Sequence, residues 1–462
     1  MKGSTHFVGI GGTGLSAIAR VLLERGESVS GSDREDSALA QSLRQAGAAV
    51  TIGHAAGNVN GASRVIRSSA VDEDNVEVLA ALKKGIPVLK RSEFLGEFLA
   101  NQQVIAVAGS HGKTTTTAML AWVLTALNQR PGYILGSVSE NLGANAAAGA
   151  GRLFIIEADE YDYMFLGLSP MLALVTNVEH DHPDLFATPA DFQEAFRQFV
   201  DRLQPEGTLI ACSDDPGAAL LLPYAEKQGR ATRSYAHSHK EADYQAADLR
   251  SQTGSGFSFL ALHGKKELAE VHLQVAGEHN VLNALGALAV ADTLGISVKE
   301  AALALADFRG TRRRFDLRGE ADGVLIVDDY AHHPTEIRST LAAARARYPE
   351  RRVWALWQPH TFSRTLALRG GFETAFGDAD FVLVTDVYAA REQRPQGFDM
   401  AEIAKAIQHS QVRYTAGFRE AQELLMKELK PGDLILVLSA GDALQLSADL
   451  FAELKRKEKN HA

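Results

Sequence analysis

Short apolar runs and helical spacings alternate along most of this chain. The run VIAVA at 104–108 is made of small and branched apolar residues and predicts a strand buried on both faces. Beyond a polar turn, Leu120, Val123, Leu124 and Leu127 fall at i, i+3, i+4 and i+7 and predict one face of a helix. Apolar runs near 6–10, 28–31, 65–66, 85–89, 153–156, 172–175, 324–327, 353–356, 381–384 and 434–438 predict further strands. Helical spacing follows several of them, at 15–22 and from 334, and Val281, Leu285 and Leu288 form the stripe of another helix. Strands alternating with helices predict an α/β protein with parallel sheets. The stretch 251–272 differs: it alternates polar and apolar residues around Gly254 and Gly256 and reads as β-hairpin material. The tail 453–462 reads as a charged helix end.

The polar turns between these elements carry the chemistry. Gly109, Ser110, His111, Gly112, Lys113, Thr114 and Thr115 join the 104–108 strand to its helix. Val107 stands where the longer G-x-x-x-x-G-K-[ST] pattern has its first glycine, leaving G-x-x-G-K-T. Glycines let backbone N–H groups approach an anion, the helix N-terminus faces it, Lys113 adds charge, and a threonine hydroxyl can hold Mg2+. This favours a nucleotide triphosphate over a plain turn. An earlier turn, Gly11, Gly12, Thr13 and Gly14, lies between a strand and a helix, with Asp33 ending the next strand. That is a Rossmann-like opening for a dinucleotide or any nucleotide diphosphate. Asp33 can hold a ribose hydroxyl or cap a helix, and Ser68 and Ser69 form a ligand edge or a plain turn.

Strand ends in a parallel sheet line the ligand crevice. EADE at 157–160 and TNVEHDH at 176–182 therefore emerge beside the phosphate loop, where Glu157 can hold Mg2+. His180 and His182 lack the third ligand of a zinc site. Asn280 and Asn283 share a helix face, and their spacing alone suits capping. Arg312, Arg313 and Arg314 suit a phosphate, and four later strands release polar residues at one sheet end.

At 462 residues, roughly 150 per domain suggests three, divided as 1–98, 99–307 and 308–462. The net charge of −10 is spread along the chain, which does not favour nucleic acid or an anionic membrane as a partner. Arg20 and Arg25 interrupt the N-terminal apolar segment, so no signal peptide is expected, and no uncharged apolar run spans a membrane. The single cysteine, Cys212, excludes an internal disulfide, reads as a small buried residue and suits the cytoplasm.

Together these strings resemble the Mur ligases, ATP-dependent amide-forming enzymes of peptidoglycan precursor synthesis. The resemblance rests on GIGGTGLS at 9–16, GSHGKTTTT at 109–117, EADE at 157–160, DHPD at 181–184 and GEHNVLNA at 277–284. RRF at 313–315, DDYAHHPTE at 328–336 and QPHTFSRT at 358–365 complete it. It implies a Rossmann-like N-terminal domain for a UDP-sugar, a central P-loop ATPase, and a Rossmann-like C-terminal domain that closes over ATP and the amino acid. Gly11, Gly12, Thr13, Gly14, Leu15, Asp33, Ser68 and Ser69 would serve the UDP-sugar. Gly109 to Thr115, Asn280, Asn283, Arg314 and Asp329 would serve ATP, with Lys113 on the transferring phosphate. Thr114 and Glu157 would hold one Mg2+ and His182 a second, while His332, His333, His360 and Arg364 would lie at the substrate end. Lys113, Glu157, His182, Arg314 and Asp329 form the implied catalytic set.

Among the branches, the strings are most similar to the one that joins L-alanine to UDP-N-acetylmuramate, acting as a monomer or homodimer. No lysine lies between Asp184 and Arg202, so the carbamylated lysine of several family members is not expected. Tyr161, in EADEYD, instead resembles the branch that attaches a recycled tripeptide to the same UDP-sugar. A nucleotide-binding protein without turnover and a nicotinamide dehydrogenase remain as readings from other classes.

Overall fold

The centre of the computed structural model, which describes residues 3–251 and 256–461, is the strand Gln103–Ala108. Its successive side chains enter different cores: Val104, Ala106 and Ala108 join one cluster, Ile105 and Val107 another. Both faces are covered, so the run lacks polar alternation. Leu153–Glu157 and Leu172–Val175 flank it in parallel. The ten-stranded sheet continues in parallel through Thr208–Cys212, Ala231–Ala236 and Tyr244–Ser251. It then turns antiparallel at Phe257–His263 and Lys266–His272. The hairpin expected at 251–272 is thus this sheet's antiparallel edge, and Gly254 lies outside the described residues. Helices Lys113–Ala126 and His279–Thr293 pack together on one face, each starting at the sheet's ligand end.

A five-stranded parallel sheet precedes it, in the order Ala49–Ile52, Val29–Asp33, Ser4–Val8, Ala62–Arg67, Val88–Lys90. Its helix Thr13–Glu24 places Leu15, Ile18 and Leu22 in the same core as Phe154, Phe165 and Phe196 of the central unit. A six-stranded sheet follows, with Asp316–Ala321 antiparallel at one edge. Val324–Asp329, Asp433–Leu438, Arg352–Trp357, Phe381–Val384 and Val412–Tyr414 are parallel. The expected α/β class with Rossmann-like flanking sheets is what the chain adopts. Strands Ala231–Ala236 and Asp316–Ala321 carry no apolar run because most of their residues are only partly covered. Among the described residues, no helix is long and apolar enough to cross a membrane.

Beneath the first sheet, Glu77 is 0% exposed yet fully partnered. His6 Nε2 lies 3.0 Å from it, and Ser32 Oγ, Asn58 Nδ2 and the Ala55 N–H donate to it at 2.7, 2.6 and 3.0 Å. Burial works to raise this carboxyl, but the four hydrogen bonds outweigh it and bring it from 4.5 to about 2. A carboxyl depressed in the fold stabilises above its unfolded value, and that contribution is lost as pH falls from about 4.5 through about 2. Glu77→Gln should therefore cost roughly 3 kcal/mol at pH 7 and much less at pH 2.5, as read by urea unfolding. An equal cost at both pH values would contradict this.

Candidate active site

Two glycines shape the phosphate loop. Gly109 has φ +139°, and a Cβ there would stand 2.0 Å from Thr176 Oγ1; Gly112 has φ +78°, and a Cβ would meet Asn283 Oδ1 at 2.5 Å. The loop is held by the segment after strand Leu172–Val175. Thr176 Oγ1 donates to the His111 carbonyl (2.6 Å), Asn177 accepts the His111 N–H (2.7 Å), and Ser110 Oγ donates to the Glu179 carbonyl (2.6 Å). These contacts fix the loop while Gly112 caps the helix that begins at Lys113.

Lys113 lies 2.9 Å from the buried Glu160 carboxylate. Burial works to lower its ammonium, but Glu160, with Asp159 and Glu157 beyond it, raises it, so the lysine stays charged. Thr114 Oγ1 donates to Glu157 Oε1 at 3.0 Å, and the Gly136 N–H donates to Oε2 at 2.6 Å. Burial raises the Glu157 carboxyl against the pull of Lys113. A hydroxyl and a carboxylate side by side at a helix start are hard oxygen donors that fit Mg2+, with phosphate and water completing its shell. His182 is placed differently. Its Nδ1 faces Arg364 Nη2 (3.2 Å), and its Nε2 lies 3.5 Å from Glu160 and 3.7 Å from Asp181. Among the described residues, no group of three acidic, histidine or cysteine side chains gathered for a metal includes Glu157 or His182.

The third sheet sends its strand ends onto this loop. Arg364 Nε donates to Asp181 Oδ1 at 2.7 Å, both side chains being 4% exposed, and its Nη1 lies 2.8 Å from His360 Nδ1. Despite burial, Arg364 holds the Asp181 carboxyl well below the usual range. Thr335 Oγ1 donates to Glu179 Oε1 at 2.8 Å, and Glu336 lies 3.4 Å from His111 Nδ1 and 3.3 Å from Arg314. Burial works to lower His111, but bonds to Glu179 and Glu336 lift it to about 9. Burial brings His332 to about 3 and His333 and His360 to about 4, so these three are neutral at pH 7. Asp329, raised by burial to about 6, accepts the N–H groups of Phe315 and Ala331, both at 2.7 Å, and so holds the turn that carries Arg314.

Asn280 and Asn283 do not cap their helix from outside. They are buried and bond to each other (2.9 Å); Asn283 faces Gly112, and Asn280 Nδ2 donates to the Ala276 carbonyl at 2.6 Å. Burial pushes the Cys212 thiol up to about 12, which makes it inert, in keeping with a plain buried residue.

Two cavities meet at the loop. One of about 620 Å3 is lined by His111, Gly112, Thr115, Asn280, Asn283, Arg314 and Asp329. The other, about 690 Å3, runs from Thr13, Gly14 and Arg91 past Lys113, Thr114 and Glu157 to His182, His332, His360 and Arg364. Gly112, Arg312, Arg314 and Glu336 line both.

Leu15 is buried in the core, because the helix needs an apolar residue there, so only its backbone remains for an anion. Asp33 neither caps a helix nor stands free. Ser37 is the cap, and Asp33 accepts the Gly11 N–H at 2.8 Å. Of this set only Thr13 and Gly14 line the large cavity; Gly11, Gly12, Ser68 and Ser69 do not, and Ser69 Oγ donates to Asp162 (2.6 Å). Glu160, Asn177, Glu179 and Glu336 were not singled out from the sequence. Their signal was position alone, each lying within three residues of His182 or a loop end, or at the third position of a helix.

A P-loop α/β unit between two further parallel sheets, with charged groups from both later units around one loop, defines a nucleotide-dependent enzyme of three parts. The family profiles "Mur ligase family, catalytic domain", "Mur ligase middle domain" and "Mur ligase, glutamate ligase domain" match residues 4–103, 107–291 and 313–441. The UDP-N-acetylmuramate--L-alanine ligase of Saccharopolyspora erythraea is 43% identical over 459 residues, 98% of this chain and 93% of that one. Among solved structures, UDP-N-acetylmuramate-alanine ligase MurC of Thermotoga maritima superposes with a TM-score of 0.83 at 28% identity, covering 98% of this chain and 100% of that one. A murein peptide ligase of Psychrobacter arcticus gives 0.73 at 27% identity, covering 98% and 99%. The chain belongs to the Mur ligase family.

Proposed function

We propose that this chain joins L-alanine to the lactyl carboxylate of UDP-N-acetylmuramate, consuming ATP and releasing ADP and phosphate, in peptidoglycan precursor synthesis in the cytoplasm. The observation that carries the reading is the pair of cavities joined at the phosphate loop. One suits a nucleotide against Asn280 and Asn283, and the other suits a long substrate ending at His360 and Arg364. Relatives named for this reaction support the choice of amino acid. Residues 1–98 would hold the UDP-sugar, 99–307 the nucleotide, and 308–462 would close over ATP and the amino acid.

A carboxylate does not react with an amine because its oxygen is a poor leaving group. Its oxygen attacks the γ-phosphorus, ADP leaves, and the acyl phosphate then loses phosphate when the alanine nitrogen attacks the carbonyl carbon. Lys113 and Arg314 would offset charge on the transferring phosphoryl group. Thr114 and Glu157 would hold Mg2+, which would offset phosphate charge, and His182 would hold a second ion. The Asp181–Arg364 and Thr335–Glu179 contacts hold the third unit over the loop and so keep water from the acyl phosphate.

The route has a direct test. With 18O in the lactyl carboxylate, the released phosphate should carry one 18O atom; phosphate without label would overturn the acyl-phosphate step. Glu157→Gln should weaken Mg2+ activation roughly 10–100-fold, measured as the Mg2+ concentration for half-maximal rate. An unchanged Mg2+ response would move the metal elsewhere.

A further inference from the structure

His111, Glu179 and His333 bring one ligand atom each to within 4.8 Å of one another. The shared corner is Glu179 Oε2, which is 3.1 Å from His111 Nε2 and 3.9 Å from His333 Nδ1. The edges of a tetrahedron around a zinc-sized ion measure roughly 3.3 Å, so small side-chain shifts close the set. Among the described residues this is the one such group of three.

The surroundings of each ligand suit a metal. Glu336 sits 3.4 Å from His111 Nδ1, the carboxylate–histidine pairing that turns the other ring nitrogen toward an ion. Thr335 Oγ1 donates to the second oxygen of Glu179 at 2.8 Å. His333 is 2% exposed, and its Nδ1 accepts the Thr335 N–H at a long 3.3 Å, which puts the ring proton on Nε2; an ion at Nδ1 would take over the lone pair that this long bond uses. The buried Nε2 has no hydrogen-bond partner, so the ring is not held in place from that side. Two imidazoles and one carboxylate select a borderline transition ion over Mg2+.

We propose that His111, Glu179 and His333 form a site for a zinc-class divalent ion, separate from the Mg2+ position at Thr114 and Glu157. Its ligands come from the phosphate loop, the segment after strand Leu172–Val175, and the N-cap of helix Pro334–Arg347. The ion therefore ties the central unit to the third and holds them docked. It displaces the proton on His111 Nε2 and the Thr335 N–H from His333 Nδ1. A fourth position opens on the 620 Å3 cavity, which His111 and Glu179 line. The proposal does not rest on the ligase reading, because it is tested by binding.

The test titrates the full chain with Zn2+ in excess Mg2+, by calorimetry, and with Co2+, by its visible absorption. Wild type should bind one ion and show the intense spectrum of four-coordinate cobalt. His333→Asn keeps a side chain that caps the helix but removes the imidazole, and Glu179→Gln keeps the partner of Thr335. Each should weaken binding by at least about 10-fold, while His182→Asn should bind as wild type does. Zn2+ should also raise the melting temperature of wild type and not that of His333→Asn. Equal binding by wild type and the first two variants, loss on His182→Asn instead, or no stoichiometric binding by wild type would each overturn the site.

Discussion

Replacing Lys113 with alanine should lower turnover by roughly 10^3-fold or more, while binding of the UDP-sugar, measured by calorimetry, stays near wild type. The ammonium lines the larger cavity, next to Gly112, which lines both, and phosphoryl charge would develop there. It is charged in the folded chain because Glu160 is 2.9 Å away, and Glu160 is buried. Removing the lysine alone leaves that buried carboxylate with only His182 Nε2, 3.5 Å away, which costs stability as well as rate. The double variant Lys113→Ala, Glu160→Gln separates the two effects: melting temperature should recover and turnover should not. Turnover in either variant within 10-fold of wild type would remove Lys113 from the chemistry.

Arg364→Ala should have the next largest effect, a fall in kcat of roughly 10^2- to 10^4-fold. Its guanidinium joins Asp181 and His182 of the central unit to His360 of the third. Deleting one partner of a buried ion pair costs about 3–5 kcal/mol, because the other charge stays buried. Here the chain can avoid that cost by undocking the third unit and letting water reach Asp181. Small-angle scattering should therefore show a more extended molecule, and hydrogen exchange should rise around 179–184. Arg364→Ala with Asp181→Asn should restore part of the docking, since no uncompensated charge remains. A compact variant with normal kcat would contradict the role.

The local part of this site was legible in the sequence because it depends on neighbours in the chain. The apolar run 104–108, the two glycines and Lys113 define a strand, a turn and a helix start within a dozen positions. Glu157 and Asp329 at strand ends, and His182 in the loop after strand Leu172–Val175, follow from the rule that parallel sheets release ligands on one side. Pairings made by folding were not legible. Asp181 meets Arg364 across 183 positions and Thr335 meets Glu179 across 156, and no periodicity connects them. Spacing alone suggested capping for Asn280 and Asn283, because only the packing of two helices shows that Asn283 faces Gly112 and bonds to Asn280. Asp33 shows the limit most plainly. Its carboxylate takes the Gly11 N–H, a partner 22 positions away that neither sequence reading included. The half-covered strands were missed for a related reason, since cover on one side leaves no continuous apolar run.

The central claim is the identity of the acceptor, and it is tested by ATP-dependent phosphate release with UDP-N-acetylmuramate in two separate reactions. One receives L-alanine and the other L-alanyl-γ-D-glutamyl-meso-diaminopimelate. The account predicts release with alanine alone, which would make Tyr161, whose hydroxyl donates to Asp184 at 3.2 Å, compatible with the small acceptor. Release with the tripeptide alone, or with neither, would contradict it.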